Sequence, residues 1–382
     1  MKKNSNIIFI GLVFIVLILP ILFINLKDNQ ISLSENRKLN EKPVLNDISK
    51  LFNGEFFTEF NSWFKDHIGF RDNIISLKGD IDHKVFNKID VNYMYIGASG
   101  ELIYMEPEML KSYQHKDLLS KEELSHIIYN YNVVNNYFNS LGASFVYVPC
   151  YDKHSILPEQ IPSSIYQYGT VSKTDQIVAA LLTDTKVNVA NFKGDLLNVS
   201  TEAYGKWSDP THWTDYGSHI AYLSIMNKIN ELHKVKILSD VDYNIHYEKK
   251  GYNLNGNIYK YDLYKAYDLS NPKAKKIETS ILGDLASDNR HSVYYNEVID
   301  NDLKLLIIGD SYINSYLLDD FAESFKYTYM VLGNYLIDDS LIELINSLRP
   351  DIVIIENAER VDIQPSINEF VKNINKRLSN NN

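Results

Sequence analysis

Ser311 closes the run Leu305-Leu306-Ile307-Ile308-Gly309-Asp310-Ser311. Four apolar residues ended by a glycine predict a buried parallel strand, and Tyr312 to Phe325 is long enough for a helix behind it. A serine at such a strand-to-helix turn stands where α/β hydrolytic folds hold a nucleophile, its hydroxyl raised above the sheet edge. The following helix would offer N–H groups to a developing oxyanion. A nucleophilic serine needs a base, and Trp207-Ser208-Asp209-Pro210-Thr211-His212-Trp213 offers one. Asp209, three residues before His212 in a loop leading to a helix near Asp215, can hold one ring nitrogen while the other takes a proton. Together these residue types could carry acyl transfer through a serine ester.

The surrounding chain must position them, and it alternates helix and strand. Ser120-Lys121-Glu122-Glu123 is a capping box ahead of an apolar stripe that ends at Gly142. Strand patterns follow at Ser144 to Val148, Val187 to Ala190, Tyr327 to Leu332 and Asp351 to Ile355, with helix patterns at Thr174 to Leu182 and Asp339 to Leu348. Such alternation predicts an α/β fold with a parallel sheet flanked by helices, whose strand ends share one ligand-binding edge. Gly333 and Asn357 stand at or just past two of those ends. Residues 235–302 interrupt the rhythm with a polar, tyrosine-rich insertion, either a rim for sugar faces or a plain polar excursion. Asp66 and His67 lie adjacent in a helical pattern, so they do not face each other, and a structural role is expected for both.

Composition bounds the partners. The formal net charge of −11 argues against nucleic acid, which needs a basic surface. Cys150 is the single cysteine, so no internal disulfide forms and no cysteine set exists for a metal. Cys150 with His154 is a competing nucleophile pair, and Asp209, His212 and His219 a competing metal set. Lys2 and Lys3 precede the uncharged run Ile7 to Ile24, which holds Pro20. That run predicts an uncleaved single-pass transmembrane anchor, and the lysines place the body outside the cytoplasm. The expected organisation is a tail and anchor over 1–28, a linker over 29–50 and an extracytoplasmic domain over 51–382.

The set Gly-Asp-Ser, Asp-x-x-His, strand-end glycine and strand-end asparagine resembles the SGNH (GDSL-type) hydrolase superfamily. Asp209 and His212 precede Ser311, a permuted order that resembles the branch of alginate O-acetylation proteins (AlgX/AlgJ-like) and DHHW proteins. Ser34-Glu35-Asn36-Arg37, Trp63-Phe64-Lys65-Asp66-His67, Phe70-Arg71-Asp72, Asp152-Lys153-His154-Ser155 and Glu359-Arg360 are also similar to that branch. The resemblance implies Ser311 as nucleophile, His212 as base and Asp209 as its orienting carboxylate, with Ser311, Gly333 and Asn357 (Asn334 being the alternative asparagine) at the oxyanion and Lys153, Trp213 and Arg360 at the substrate. Pro210 and Thr211 separate Asp209 from His212 where the branch has one residue, which leaves Asp215 as an alternative partner. The implied activity is membrane-anchored O-acetyl transfer to an extracellular polysaccharide, supplied by a membrane-bound O-acyltransferase and needing no metal or cofactor. An acetylesterase and a non-catalytic polysaccharide-binding or assembly protein are the alternatives.

Overall fold

The computed structural model describes residues 2–27, 31–32, 37–45, 47–86, 89, 91–254 and 256–380. The stretch Ser34-Glu35-Asn36 lies outside them. The chain divides into two compact units, Met1–Tyr95 with Gly251–Lys260, and Ile96–Lys250 with Tyr261–Asn382.

The first unit is helical, with helices Lys2–Leu22, Glu55–His67 and Arg71–Phe86. Helix Glu55–His67 carries an aromatic stripe at helical spacing, in which Phe60 stacks on Phe64 at 6.1 Å and touches Trp63 at 5.6 Å. Asp66 and His67 are structural, as expected. The Asp66 carboxylate accepts from the backbone and side-chain amides of Asn40 at 2.8 and 2.6 Å. His67 Nδ1 lies 2.9 Å from the Trp63 carbonyl, to which it donates. Among the described residues no helix is long and apolar enough to cross a membrane.

The second unit is built on a seven-stranded sheet. Its strands in chain order are β1 (Ser144–Cys150), β2 (Asn188–Val189), β3 (Lys275–Ile277), β4 (Ser292–Tyr295), β5 (Lys304–Gly309), β6 (Tyr327–Leu332) and β7 (Ile352–Ala358). They lie in the order β2-β1-β7-β5-β6-β4-β3. The first five in that order run parallel, as the near-continuous apolar strands require when helices cover both faces. Phe138, Phe145, Ile308 and Phe370 pack on one face, and Val146, Ile307, Tyr312 and Met330 on the other. Helix Lys121–Ser140 starts on the expected capping box, with Ser120 Oγ accepting from Glu123 N–H at 3.2 Å.

Two expectations need correction. The helix expected from Tyr312 to Phe325 is broken into Ser311–Asn314 and Leu318–Ala322. The break lets Leu317, Leu318 and Phe321 all enter the core while Tyr316 turns towards the reactive edge. The insertion is also less separate than its composition suggested. Tyr243–Lys250 pairs with Asp262–Leu269 as an antiparallel ribbon, but β3 and β4 join the main sheet as antiparallel edge strands.

Candidate active site

The register Ile308↔Ile355 and Gly309↔Leu332 brings three strand ends level beneath Ser311. Asp310 shapes the turn. Its carboxylate accepts from Tyr312 N–H at 3.0 Å and from Ala358 N–H at 2.7 Å, so it ties the serine turn to the end of β7. Asp310 N–H donates to Glu356 Oε2 at 2.7 Å. Glu356 is 1% exposed, and burial followed by the Asp310 charge pushes its carboxyl well above the usual range. Gly309 must be small here, because a Cβ would stand 2.5 Å from Glu356 Oε2.

The opposing loop is held by a residue that sequence reasoning missed. Asp262 Oδ2, from the insertion, accepts the N–H groups of Trp207 and Ser208 at 2.5 and 2.6 Å. Asp209 Oδ1 then accepts from Thr211 N–H and His212 N–H at 2.7 and 2.8 Å. The loop ends where Thr214 Oγ1 accepts from Gly217 N–H at 3.2 Å and caps helix Asp215–Leu232.

Ser311, His212 and Asp209 meet. His212 Nε2 lies 2.9 Å from Ser311 Oγ, and Nδ1 lies 3.2 Å from Asp209 Oδ2. Thr211 Oγ1 sits 2.9 Å from Nδ1 and 3.0 Å from Asp209 Oδ1. The partners decide the tautomer. Asp209 can only accept, so Nδ1 carries the proton; Arg360 Nη2, 3.3 Å from Nε2, can only donate, so Nε2 keeps its lone pair. Burial alone would raise the Asp209 carboxyl, but hydrogen bonds and charge from His212 outweigh it and bring its pKa down to about 2. Asp215 is not the partner of Nδ1; it sits in the first turn of the next helix and lines a separate cavity.

The ring of Tyr312, fully buried, packs against His212 at 4.8 Å and edge-on to Trp213 at 4.6 Å. Its hydroxyl lies 3.0 Å from both Asp152 Oδ1 and the Thr211 carbonyl. Tyr316 stacks near His212 at 5.7 Å and donates to Asp209 Oδ2 at 3.4 Å. Neither tyrosine was singled out beforehand, although positions one and five after the serine put both on its short helix and the turn that follows.

The remaining expected residues divide. Arg360 reaches the site: Nη1 pairs with the fully buried Asp152, and the guanidinium lies 5.3 Å from the centre of the Tyr312 ring. Gly333 follows the last β5–β6 pair and sits 3.7 Å, by its would-be Cβ, from the Gly309 carbonyl oxygen. Asn357 does not offer its amide: Nδ2 donates to the Ala358 and Val361 carbonyls at 3.0 and 3.2 Å, and Oδ1 accepts from Tyr147 at 3.0 Å. Trp213 is 1% exposed, part of the core rather than a substrate platform. Cys150 is fully buried, and burial pushes its thiol far above the range of a thiolate nucleophile. Among the described residues no group of three or more acidic, histidine or cysteine side chains is arranged to hold a metal ion.

Lys153 is also withdrawn from substrate. It is 4% exposed, and Nζ donates to the carbonyls of Leu102 and Lys206 at 2.9 and 3.4 Å. Burial lowers its pKa to about 8, so the folded state holds its proton less tightly than the unfolded chain does. Between about pH 8 and the free-lysine value near 10.4, the unfolded state binds more protons, and stability rises with pH. Urea midpoints of wild type and Lys153→Met at pH 7.5 and pH 10 should show wild type gaining on the variant at the higher pH.

No protein-family model and no curated protein matches the sequence. Among solved structures, the chain is similar to Bacillus cereus PatB1 with a sulfonyl adduct, at 15% identity and TM-score 0.49, over 64% of this chain and 92% of that one. It is also similar to a DHHW family protein from Eubacterium siraeum, at 14% identity and TM-score 0.44, over 65% and 88%. The O-acetyltransferase domain of Pseudomonas putida AlgJ matches at 13% identity and TM-score 0.43, over 73% and 98%. These neighbours include the AlgJ and DHHW kinds that the motifs resemble.

Proposed function

We propose that this protein is an O-acyltransferase that forms an acetyl ester on Ser311 and passes it to a hydroxyl of an extracytoplasmic polysaccharide. The observation that carries the reading is the hydrogen-bonded chain Ser311 Oγ–His212 Nε2 at 2.9 Å and His212 Nδ1–Asp209 Oδ2 at 3.2 Å. In the first half-reaction Ser311 Oγ attacks the acyl carbon and its proton moves to His212 Nε2, while Asp209 stabilises the imidazolium. The proton then goes to the leaving group. In the second half, His212 takes the proton of the acceptor hydroxyl, the new ester bond forms and Ser311 Oγ is released with that proton.

The oxyanion needs donors, and Asn357 is committed elsewhere. Arg360 fits the role. While Nε2 holds a lone pair, Nη2 faces it; once Nε2 is protonated, that N–H loses its acceptor and the nascent oxyanion beside Ser311 takes its place. The backbone N–H groups of Ser311 and Gly333 would complete the hole. Polysaccharide as acceptor and a membrane-bound O-acyltransferase as donor rest on the motif resemblance. The test is acyl turnover, with trapping of the acetyl ester on the Ser311 peptide, in wild type against Ser311→Ala.

The uncharged run Ile7 to Ile24 behind Lys2 and Lys3 supports a single-pass anchor with the body outside the cytoplasm. In fractionated cells the full-length chain should stay in carbonate-washed membranes, and a protease added to intact spheroplasts should digest its body. Recovery in the soluble fraction would overturn the anchor.

A further inference from the structure

A cavity of about 630 Å³ opens next to the Ser311 turn, and none of Ser311, His212 and Asp209 lines it. Ser315 and Tyr316 form part of its wall. Ser315 N–H donates to the Ser311 carbonyl at 3.1 Å, so this part of the cavity wall begins one helical turn after the reactive serine. That spacing suits the neighbour of a sugar whose hydroxyl is being acylated.

The wall chemistry is specific. Asp215, Asp319 and Asp320 line the cavity, and among the described residues none of the three forms a salt bridge with a lysine or arginine. Lys250 lines it too, with its ammonium 5.8 Å from the Tyr264 ring. Burial, then the charges of Asp319, Asp215 and Glu323, pushes the Asp320 carboxyl up to about 8. Lys250 offsets part of this acidity at Asp215, and three aspartates against one lysine leave the wall able to take a further cation.

A second observation points the same way. His219 lines the cavity at 5% exposure, and its Nδ1 has no hydrogen-bond partner. Burial keeps the imidazole neutral, with a pKa lowered to about 4, so it offers a polar contact without a competing charge. Tyr267 is stacked on His219 at 4.2 Å and holds that imidazole against the wall, while Tyr316 gives the wall an aromatic ring on which the C–H face of a sugar can lie.

We propose that this cavity is an acceptor subsite for a sugar residue bearing a protonated amine, adjacent in the polymer to the residue that receives the acyl group. The carboxylates pair with the ammonium, Tyr316 stacks on the ring and His219 meets a hydroxyl. The same wall repels a polyuronate. This placement rests on the Ser311 acyl-enzyme reading, whereas the binding itself does not.

The test is calorimetric binding of a glucosamine tetramer, its N-acetylated counterpart and a tetra-uronate to the full-length protein, alongside p-nitrophenol release from p-nitrophenyl acetate without acceptor. The glucosamine tetramer should bind about tenfold tighter than the N-acetylated one, and the uronate should not bind. Asp319→Asn/Asp320→Asn should erase the preference and leave p-nitrophenol release unchanged. Equal binding of the two tetramers, no binding of either, or a preference that survives in the double variant would overturn the subsite. Amine-selective binding with release unaffected by Ser311→Ala would overturn the acyl-enzyme reading alone.

Discussion

Ser311→Ala should lower acyl turnover on p-nitrophenyl acetate by at least about 10³-fold, with the circular-dichroism spectrum and melting curve of wild type. The size follows from what the hydroxyl does under the proposed mechanism. It is the atom that bonds to the acyl carbon, so its loss removes the covalent path, and only binding and oxyanion stabilisation remain. The fold should be indifferent, because Ser311 is exposed and its side chain meets His212 Nε2 rather than the core. The N-terminal turn of its helix is held instead by Asp310, through Tyr312 N–H and Ala358 N–H. His212→Ala should cost a similar factor, and the two together little more than either, since nucleophile and base act as one unit. Turnover in Ser311→Ala equal to wild type would end the acyl-enzyme reading.

Arg360→Ala should cost both activity and stability, and Arg360→Lys should separate the two. The guanidinium pairs with Asp152, which is completely buried, and Asp152 Oδ2 also accepts the Arg360 N–H at 2.9 Å. Removing the cation strands a buried carboxylate, a loss of about 3–5 kcal/mol in such sites, visible as a lower urea midpoint. Lysine restores the charge but not the planar fork that lets one nitrogen hold Asp152 while the other faces His212 Nε2. Arg360→Lys should therefore recover much of the stability while kcat stays roughly 10²-fold down, the usual effect of removing one oxyanion donor, with KM little changed. A lysine variant with wild-type kcat would remove Arg360 from the chemistry and leave it a structural partner of Asp152.

The Ser311–His212–Asp209 grouping and the class of fold were legible because both are written locally. A buried strand shows as an unbroken apolar run, a capping box as Ser120 and Glu123 three apart, and a carboxylate–histidine pair as Asp209 and His212 three apart in a loop. Alternation of helix and strand then forces parallel strands whose ends share an edge, so the approach of Ser311 and His212, 99 residues apart, could be anticipated from topology.

What local pattern could not show was which of several polar residues turns towards that edge. Asn357 and Arg360 are three residues apart, yet the Asn357 amide is spent on the Ala358 and Val361 carbonyls while Arg360 swings to His212. Lys153 and Trp213 flank functional stretches in sequence but are drawn into the interior, one by two carbonyls and the other by Tyr312 and Phe192. Asp262, 53 residues from Asp209 in a segment that reads as an excursion, turns out to hold the histidine loop. A sequence by itself fixes residue type, period and order, and these determined the grouping of Ser311 with His212 and Asp209 and the parallel sheet. Direction, burial and long-range partners arise only when the chain closes on itself, and that closure alone selected Arg360, withdrew Asn357 and opened the acidic cavity beside the serine.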